Sequence, residues 1–139
     1  MDLRQKMLSE IAIGVGCKKG VGAAAVIQLL RTTLDDAPPF GRATIFTVAR
    51  KFGEPGLREA AAYLGFEIVF LDETEFLARQ DEFLQRGAAP SRKAHELTGF
   101  SSIAEAAALM GGGPQAKLIL RRRAADGVTC AVAGNEDNP

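Results

Sequence analysis

The stretch IAIGVGCKKGVG, residues 11–22, decides how this chain folds. An apolar strand breaks here into closely spaced glycines, and the helix-like run AAAVIQLL follows at once. A strand that turns directly into a helix points the free N–H groups and the positive dipole end of the helix at whatever lies over the turn. Lys18 and Lys19 add full positive charge at the same place. The stretch therefore predicts an anion-binding loop at the carboxyl end of the first strand.

Outward from this stretch, strand-like and helix-like segments alternate along the chain. Apolar, β-branched or aromatic runs predict strands at residues 11–15, 43–48, 67–71, 117–121 and 128–133. Helical spacing of apolar residues predicts helices at residues 20–34, 54–64, 72–87, 93–97 and 103–110. The dipeptide Asp126-Gly127 is typical of a hairpin turn. The pattern predicts an α/β fold with three layers, α/β/α, and a mixed, mostly parallel sheet of about five strands that ends in an antiparallel C-terminal hairpin.

Length and composition indicate a single domain. The chain has 139 residues, of which 47% are hydrophobic, and we expect a flexible leader at residues 1–10, one domain at residues 11–134 and a polar tail at residues 135–139. Seventeen basic and seventeen acidic side chains cancel, so no global field favours nucleic acid or a membrane. The run at residues 121–123, three arginines, is interpreted as solvated surface.

Cysteine and histidine usage favours a reduced, cytoplasmic protein without a metal site. Cys17 and Cys130 are far apart in sequence, His95 is the single histidine, and no secretory signal or membrane-length apolar run is found. Cys17 lies at the start of a helix beside two lysines, where a thiolate would be stabilised. A small packing residue is the plainer interpretation of this cysteine.

Two basic loops are predicted to meet at one edge of the sheet, since ligands of open α/β sheets bind beyond the carboxyl ends of the strands. The loop at residues 14–22 brings Lys18 and Lys19, and the loop at residues 49–56 brings Lys51. Such an edge suits a ligand that carries several carboxylates or phosphates.

A nucleotide is one alternative ligand. Gly14 and Gly16 begin a dinucleotide-binding pattern, but Lys19 stands at its third glycine position. Arg50 stands near the end of the second strand, where an acidic residue is expected, although an arginine there would suit the phosphorylated ribose of an NADP-type cofactor.

Four segments in this order resemble the CobE/CbiG C-terminal family of cobalamin biosynthesis. They are IGVGCKKG, EPGL, PSRKAHELTGFSSIAEAAAL and GVTCAVA, at residues 13–20, 54–57, 90–109 and 127–133. The resemblance spans nearly the whole chain and implies a role at the corrin ring-contraction stage of the vitamin B12 pathway. Two-domain CbiG proteins of this family are described as hydrolases that open a lactone on a cobalt-precorrin and release acetaldehyde. This chain resembles their C-terminal domain, as stand-alone CobE proteins do.

The resemblance also implies which residues contact a precorrin or corrinoid intermediate. By their match to the family motifs these are Gly14, Gly16, Cys17, Lys18, Lys19, Gly20, Lys51, Glu54, Pro55 and Gly56.

The chain departs from the family pattern where a catalytic acid or base could act. Ala49 and Gly53 stand where the family motif has aspartates, and Gly20-Val21-Gly22 replaces Gly-Thr-Ser. We therefore assign no catalytic residue and expect a binding or accessory function with weak or no hydrolase activity by the chain alone. No cofactor is expected, since cobalt, if present, would arrive with the substrate. The alternative is a non-catalytic partner of precorrin methyltransferases.

Overall fold

The computed structural model describes residues 9–90 and 102–135. Its strands are β1 (Ser9–Cys17), β2 (Phe40–Val48), β3 (Glu67–Leu71), β4 (Lys117–Ala125) and β5 (Val128–Gly134). Its helices are α1 (Ala23–Asp35), α2 (Pro55–Leu64), α3 (Glu73–Ala78), α4 (Gln80–Gln85) and α5 (Ile103–Gly112), with a 3-10 turn (Ala49–Gly53) between β2 and α2. The predicted helix at residues 93–97, most of the predicted leader and most of the predicted tail lie outside the described residues.

The five strands form one mixed sheet in the order β3-β2-β1-β5-β4. The pairs β1–β2 and β2–β3 are parallel, whereas β1–β5 and β4–β5 are antiparallel, so β5 alone runs against the other strands of this sheet. Asp126 and Gly127 both have positive φ, 52° and 82°, as a tight two-residue hairpin requires. The predicted α/β fold with its C-terminal antiparallel hairpin is confirmed.

Strand β1 carries large side chains on one face and small ones on the other, and this alternation sets the layers. Ile11, Ile13 and Val15 point into a core that also holds apolar residues of α1 and α2. The opposite face of β1 presents Ala12, Gly14 and Gly16 to α5, whose alanines belong to a second core with residues of α3 and α4. Because Gly14 has no side chain, α5 lies directly on the backbone of the central strand at this residue.

Some of the helix ends lie where the sequence predicts them and others do not. Gly65, at φ 75°, ends α2 in the left-handed conformation, and the Asp72 carboxylate accepts a hydrogen bond from the Glu75 N–H at 2.9 Å. Ser102 occupies the N-cap of α5 without a side-chain hydrogen bond. The single helix predicted over residues 72–87 is wrong, because the chain breaks at Arg79 into α3 and α4.

The first helix begins later than predicted. Gly20 takes a left-handed φ of 78° and Gly22 is extended, so α1 starts only at Ala23. The glycine-rich turn is thus a true loop between β1 and α1. In the part of the chain that the structure describes, no helix has both the length and the apolar character needed to cross a membrane.

Candidate functional site

The carboxyl ends of β1 and β2 hold the two predicted loops side by side. The Glu54 carboxylate accepts a hydrogen bond from the Gly20 N–H at 2.8 Å, which ties the start of α2 to the loop after β1. Pro55 is the first residue of α2, where its missing N–H leaves nothing unpaired. A Cβ on Gly56 would collide with the Val21 carbonyl oxygen, so only glycine permits this close approach. The Glu-Pro-Gly sequence therefore serves to join the two loops.

Gly14 and Gly16 are buried on the α5 face of β1. A Cβ on Gly14 would collide with the backbone of Ala104 and Ala108 in α5, and one on Gly16 would stand 2.9 Å from the Thr129 hydroxyl. In a dinucleotide-binding loop such glycines let the backbone approach a pyrophosphate. Here they let a helix approach a strand, which argues against the nucleotide alternative.

The lysines predicted for the site lie on these two loops, at or near the protein surface. Lys18 and Lys19 are exposed, and Lys51 in the 3-10 turn is half-buried. The Lys18 N–H donates to the Gly127 carbonyl at 2.8 Å, so the first loop is also attached to the hairpin turn.

Cys17 lies at the boundary between the buried strand and this charged loop. Burial raises the pKa of its thiol, and although nearby Lys51 lowers that pKa, nearby Glu54 raises it again. The net shift is upward, so the thiol is neutral near pH 7. A stabilised thiolate at this position is therefore not what the surroundings produce.

A cleft of about 460 Å³ opens beside Cys17, on the α5 side of the sheet. Its walls are the end of β1, the β4–β5 hairpin and the first residues of α5. Its lining is largely apolar and comprises Gly16, Cys17, Lys18, Ser102, Ile103, Arg122, Ala124, Ala125, Asp126, Gly127, Val128 and Thr129. This cleft could not be predicted from the sequence, since its three walls come from distant parts of the chain.

The three arginines at residues 121–123 have three different environments. Arg121 donates to the Gly87 carbonyl at 3.0 Å, and Arg123 donates to the Asp36 carboxylate at 2.7 Å. Arg122 instead lines the cleft. The β4–β5 register shifts between Leu120 and Arg123, so alternation along β4 does not predict these directions.

Cations without a protein acceptor are gathered at the carboxyl end of the sheet. Among the basic side chains that the structure describes, those with no hydrogen-bonded or ion-paired acceptor are Lys18, Lys19, Lys51, Arg58 and Arg122. At the opposite end, Arg42 lies between the carboxylates of Glu10 and Glu67, at 3.8 Å and 3.5 Å. Within the described residues, positive charge without a protein acceptor is therefore concentrated at the carboxyl end of the sheet.

The described residues contain no group of three or more histidine, cysteine or acidic side chains able to hold a metal ion. The carboxyl-end site thus offers cations, loop amides and an apolar cleft, which together can hold an anionic ligand with an apolar body.

Known proteins match this chain along nearly its whole length. Residues 11–133 match the family described as Cobalamin synthesis G C-terminus. Protein CobE of a Sinorhizobium species is 30% identical over 126 residues, 89% of this chain and 79% of that protein. Cobalt-precorrin-5A hydrolase of Priestia megaterium is 26% identical over 125 residues, 88% of this chain but 32% of the hydrolase. The chain thus spans about a third of that enzyme's length.

Two solved structures share the fold. The crystal structure of CobE, a protein from the cobalamin biosynthetic pathway, superimposes with a TM-score of 0.74 at 32% identity and covers 91% of this chain and 90% of its own. Cobalamin biosynthesis protein chiG from Agrobacterium tumefaciens superimposes with a TM-score of 0.69 at 27% identity, covering 91% of this chain and 99% of its own.

Proposed function

This chain belongs to the cobalamin synthesis G C-terminus family, and we propose that it binds a precorrin-type intermediate at the carboxyl end of its sheet. It is a cobalamin biosynthesis protein of the CobE/CbiG type. Intermediates of that pathway carry acetate and propionate groups around the rim of a broad, largely apolar ring. A receptor for such a ring needs several cations spread along an edge and an apolar surface between them.

The gathering of unpaired cations carries this proposal. Lys51 follows β2, Lys18 and Lys19 follow β1, and Arg122 lies near the end of β4. From β2 to β4 there are three strand spacings in the sheet order, about 14 Å at about 4.8 Å each. One small carboxylate does not span that distance, whereas a macrocycle with carboxylates around its rim does. The apolar cleft beside Cys17 would then receive part of the ring.

The test is a binding titration with cobyrinic acid, a corrin with free acetate and propionate groups, and with its heptamethyl ester as the uncharged probe. Equilibrium dialysis, read by the absorbance of the corrin, gives Kd. We expect the acid to bind much more tightly than the ester. The double variant Lys18→Glu/Lys19→Glu should raise Kd for the acid by about 10- to 100-fold, because two attractive charges become repulsive.

The control is the double variant Arg42→Glu/Lys117→Glu, which makes the same change in net charge at the opposite end of the sheet. It should bind within about threefold of the unchanged protein, since charges this far away are largely screened at physiological salt. Equal losses in both variants would mean that net charge alone governs binding, and the proposed site would be wrong. Failure of the unchanged protein to bind cobyrinic acid would overturn the proposed function.

We further propose that binding serves the ring-contraction stage, and that the chain alone hydrolyses its ligand weakly or not at all. Support comes from the similarity to cobalt-precorrin-5A hydrolase and from the loop after β2, where Ala49 and Gly53 carry no acid or base. The one carboxylate of this loop, Glu54, is engaged by the Gly20 N–H. Incubation with cobalt-precorrin-5A should release little acetaldehyde, and turnover at rates typical of enzymes would contradict this assignment.

A further inference from the structure

We infer that Arg58, held over the ring of Phe52, is a further carboxylate-binding residue of this site, at its β2–β3 flank. This inference rests on the proposed function. It adds a cation to Lys18, Lys19, Lys51 and Arg122, on the side of Lys51 that faces β3. Arg58 is exposed at the end of the first turn of α2, and its guanidinium lies over Phe52 of the preceding 3-10 turn, which also carries Lys51.

Phe52 is 58% exposed, but its ring packs against another aromatic ring of the sheet. The Phe70 ring, on β3, contacts it in an edge-on arrangement, with ring centroids 5.1 Å apart and planes inclined by 69°. The guanidinium carbon of Arg58 stands 4.9 Å from the Phe52 centroid. Three side chains from β3, the 3-10 turn and α2 thus form one stack at the carboxyl end of the sheet.

Arg58 differs from the other arginines that lie over rings in the described residues. Arg79 lies over Phe83, but its N–H groups donate to the two carboxylate oxygens of Glu82 at 2.9 Å and 2.8 Å. Arg31 lies over Tyr63 and donates to that tyrosine's hydroxyl at 3.3 Å. Arg58 is oriented in the same way and has no acceptor in the described part of the chain.

An arginine held by an aromatic face is prepared to bind a carboxylate. The ring attracts the guanidinium without using its N–H groups, which stay available in the plane as a fork that matches both oxygens of a carboxylate. Because the aromatic contact already restricts the side chain, less conformational freedom is lost on binding. Arg58 can therefore hold one acidic substituent of the ring on this flank, and Lys51, which precedes Phe52 in the 3-10 turn, adds a point charge.

The experiment measures Kd for cobyrinic acid in three variants and one matched control. Arg58→Gln should weaken binding about tenfold, since a charge-assisted pair of hydrogen bonds is lost. Arg58→Lys keeps the charge but not the fork, and Phe52→Leu keeps the arginine but frees it, so each should weaken binding about threefold. The control is Arg31→Gln, an exposed arginine over a ring at the far end of α1, which should leave Kd within about twofold.

Salt dependence supplies a readout that a structural role would not move. Removing a cation that contacts the ligand makes log Kd less dependent on log salt concentration, because fewer screened contacts remain. We expect the smaller slope in Arg58→Gln and the original slope in Arg31→Gln, with thermal unfolding midpoints of the two variants alike.

The outcomes separate this inference from the proposed function. If cobyrinic acid binds and depends on Lys18 and Lys19, but Arg58→Gln behaves like Arg31→Gln, the role of Arg58 is refuted while the site stands. If Arg58→Lys binds as tightly as the unchanged protein, a point charge suffices, and the proposed two-pronged hydrogen bonding by a pre-oriented guanidinium is wrong. If the unchanged protein does not bind, both proposals fall together.

Discussion

The motif at residues 11–22 consists of two halves that meet at Cys17 and do different work. In the first half, Gly14 and Gly16 are buried and their missing side chains make room for α5. In the second half, Lys18 and Lys19 are exposed and Gly20 takes a left-handed turn. Glycines that look like parts of one ligand-binding loop thus divide into packing residues and turn residues.

A buried glycine can therefore shape a cleft without lining it, as Gly14 does by its contact with α5. Because α5 lies on the backbone of β1, its first residues, Ser102 and Ile103, come close enough to form a wall of the cleft. A larger residue at Gly14 would move that wall. Changes at Gly14 should therefore act mainly on stability, and changes at Lys18 and Lys19 mainly on binding.

Gly14→Ala, in the first half of the motif, should destabilise the protein most. The new Cβ would overlap the α5 backbone at Ala104 and Ala108, which cannot move as a flexible side chain would. We expect the free energy of unfolding, measured in urea, to fall by about 3 kcal/mol, at the upper end of what overpacking costs.

The matched control is Gly53→Ala, at a glycine where an added Cβ meets no atom within 4 Å. It should change the free energy of unfolding by less than about 0.5 kcal/mol. If Gly14→Ala lowered the free energy of unfolding no more than this control, α5 would not lie on β1 as described. The proposed division of the motif at Cys17 would then be wrong.

A smaller loss of stability should follow when the loop of the second half loses its hydrogen bond to Glu54. Glu54→Ala removes the acceptor of the Gly20 N–H, and we expect the free energy of unfolding to fall by about 1 kcal/mol for this partly exposed, charge-assisted hydrogen bond. Glu59→Ala makes the same change on α2 at an exposed carboxylate for which the described residues show no partner, and it should be close to neutral. Equal urea midpoints for the two variants would mean that the charged loop is not anchored through Glu54.

Much of the fold could be predicted from the sequence because local chemistry dictates it. The runs ATIFTV and EIVFL are β-branched and aromatic, and both form strands of the sheet. Gly65 and Asp126-Gly127 stand where left-handed backbone is needed, and they end a helix and close a hairpin there. The basic loops at the carboxyl end also followed from the chain order, since parallel strands bring their carboxyl ends to one edge.

What could not be predicted depends on contacts between distant residues. Glu105 lies in an alanine-rich helix and reads as part of its packing, yet its buried carboxylate accepts from the Ala89 and Arg122 N–H groups at 2.6 Å and 3.1 Å. Whether an arginine such as Arg58 is paired is likewise decided by what the fold brings near it. Periodicity along one helix carries no information about either.

The labelling rate of Cys17, the residue at which the two halves meet, should change only modestly. Since burial raises the pKa of the thiol, the thiolate fraction at pH 8 is lower in the folded protein than in the unfolded chain. Iodoacetamide should therefore label Cys17 several-fold more slowly in buffer than in urea, with the site of labelling identified by peptide mass spectrometry. Faster labelling in the folded protein would contradict the upward shift.

Two variants separate electrostatics from simple shielding of the thiol. Lys51→Gln removes the cation that lowers the pKa, so labelling should slow by a further factor of about two. Glu54→Gln removes the carboxylate that raises the pKa, so labelling should quicken by a similar factor. Steric shielding alone would give no reason for opposite signs. Opposite signs would show that the charges of the loop act on the Cys17 thiol. Because burial against the strand acts on the same thiol, Cys17 would then respond to both halves of the motif, as a residue at their boundary should.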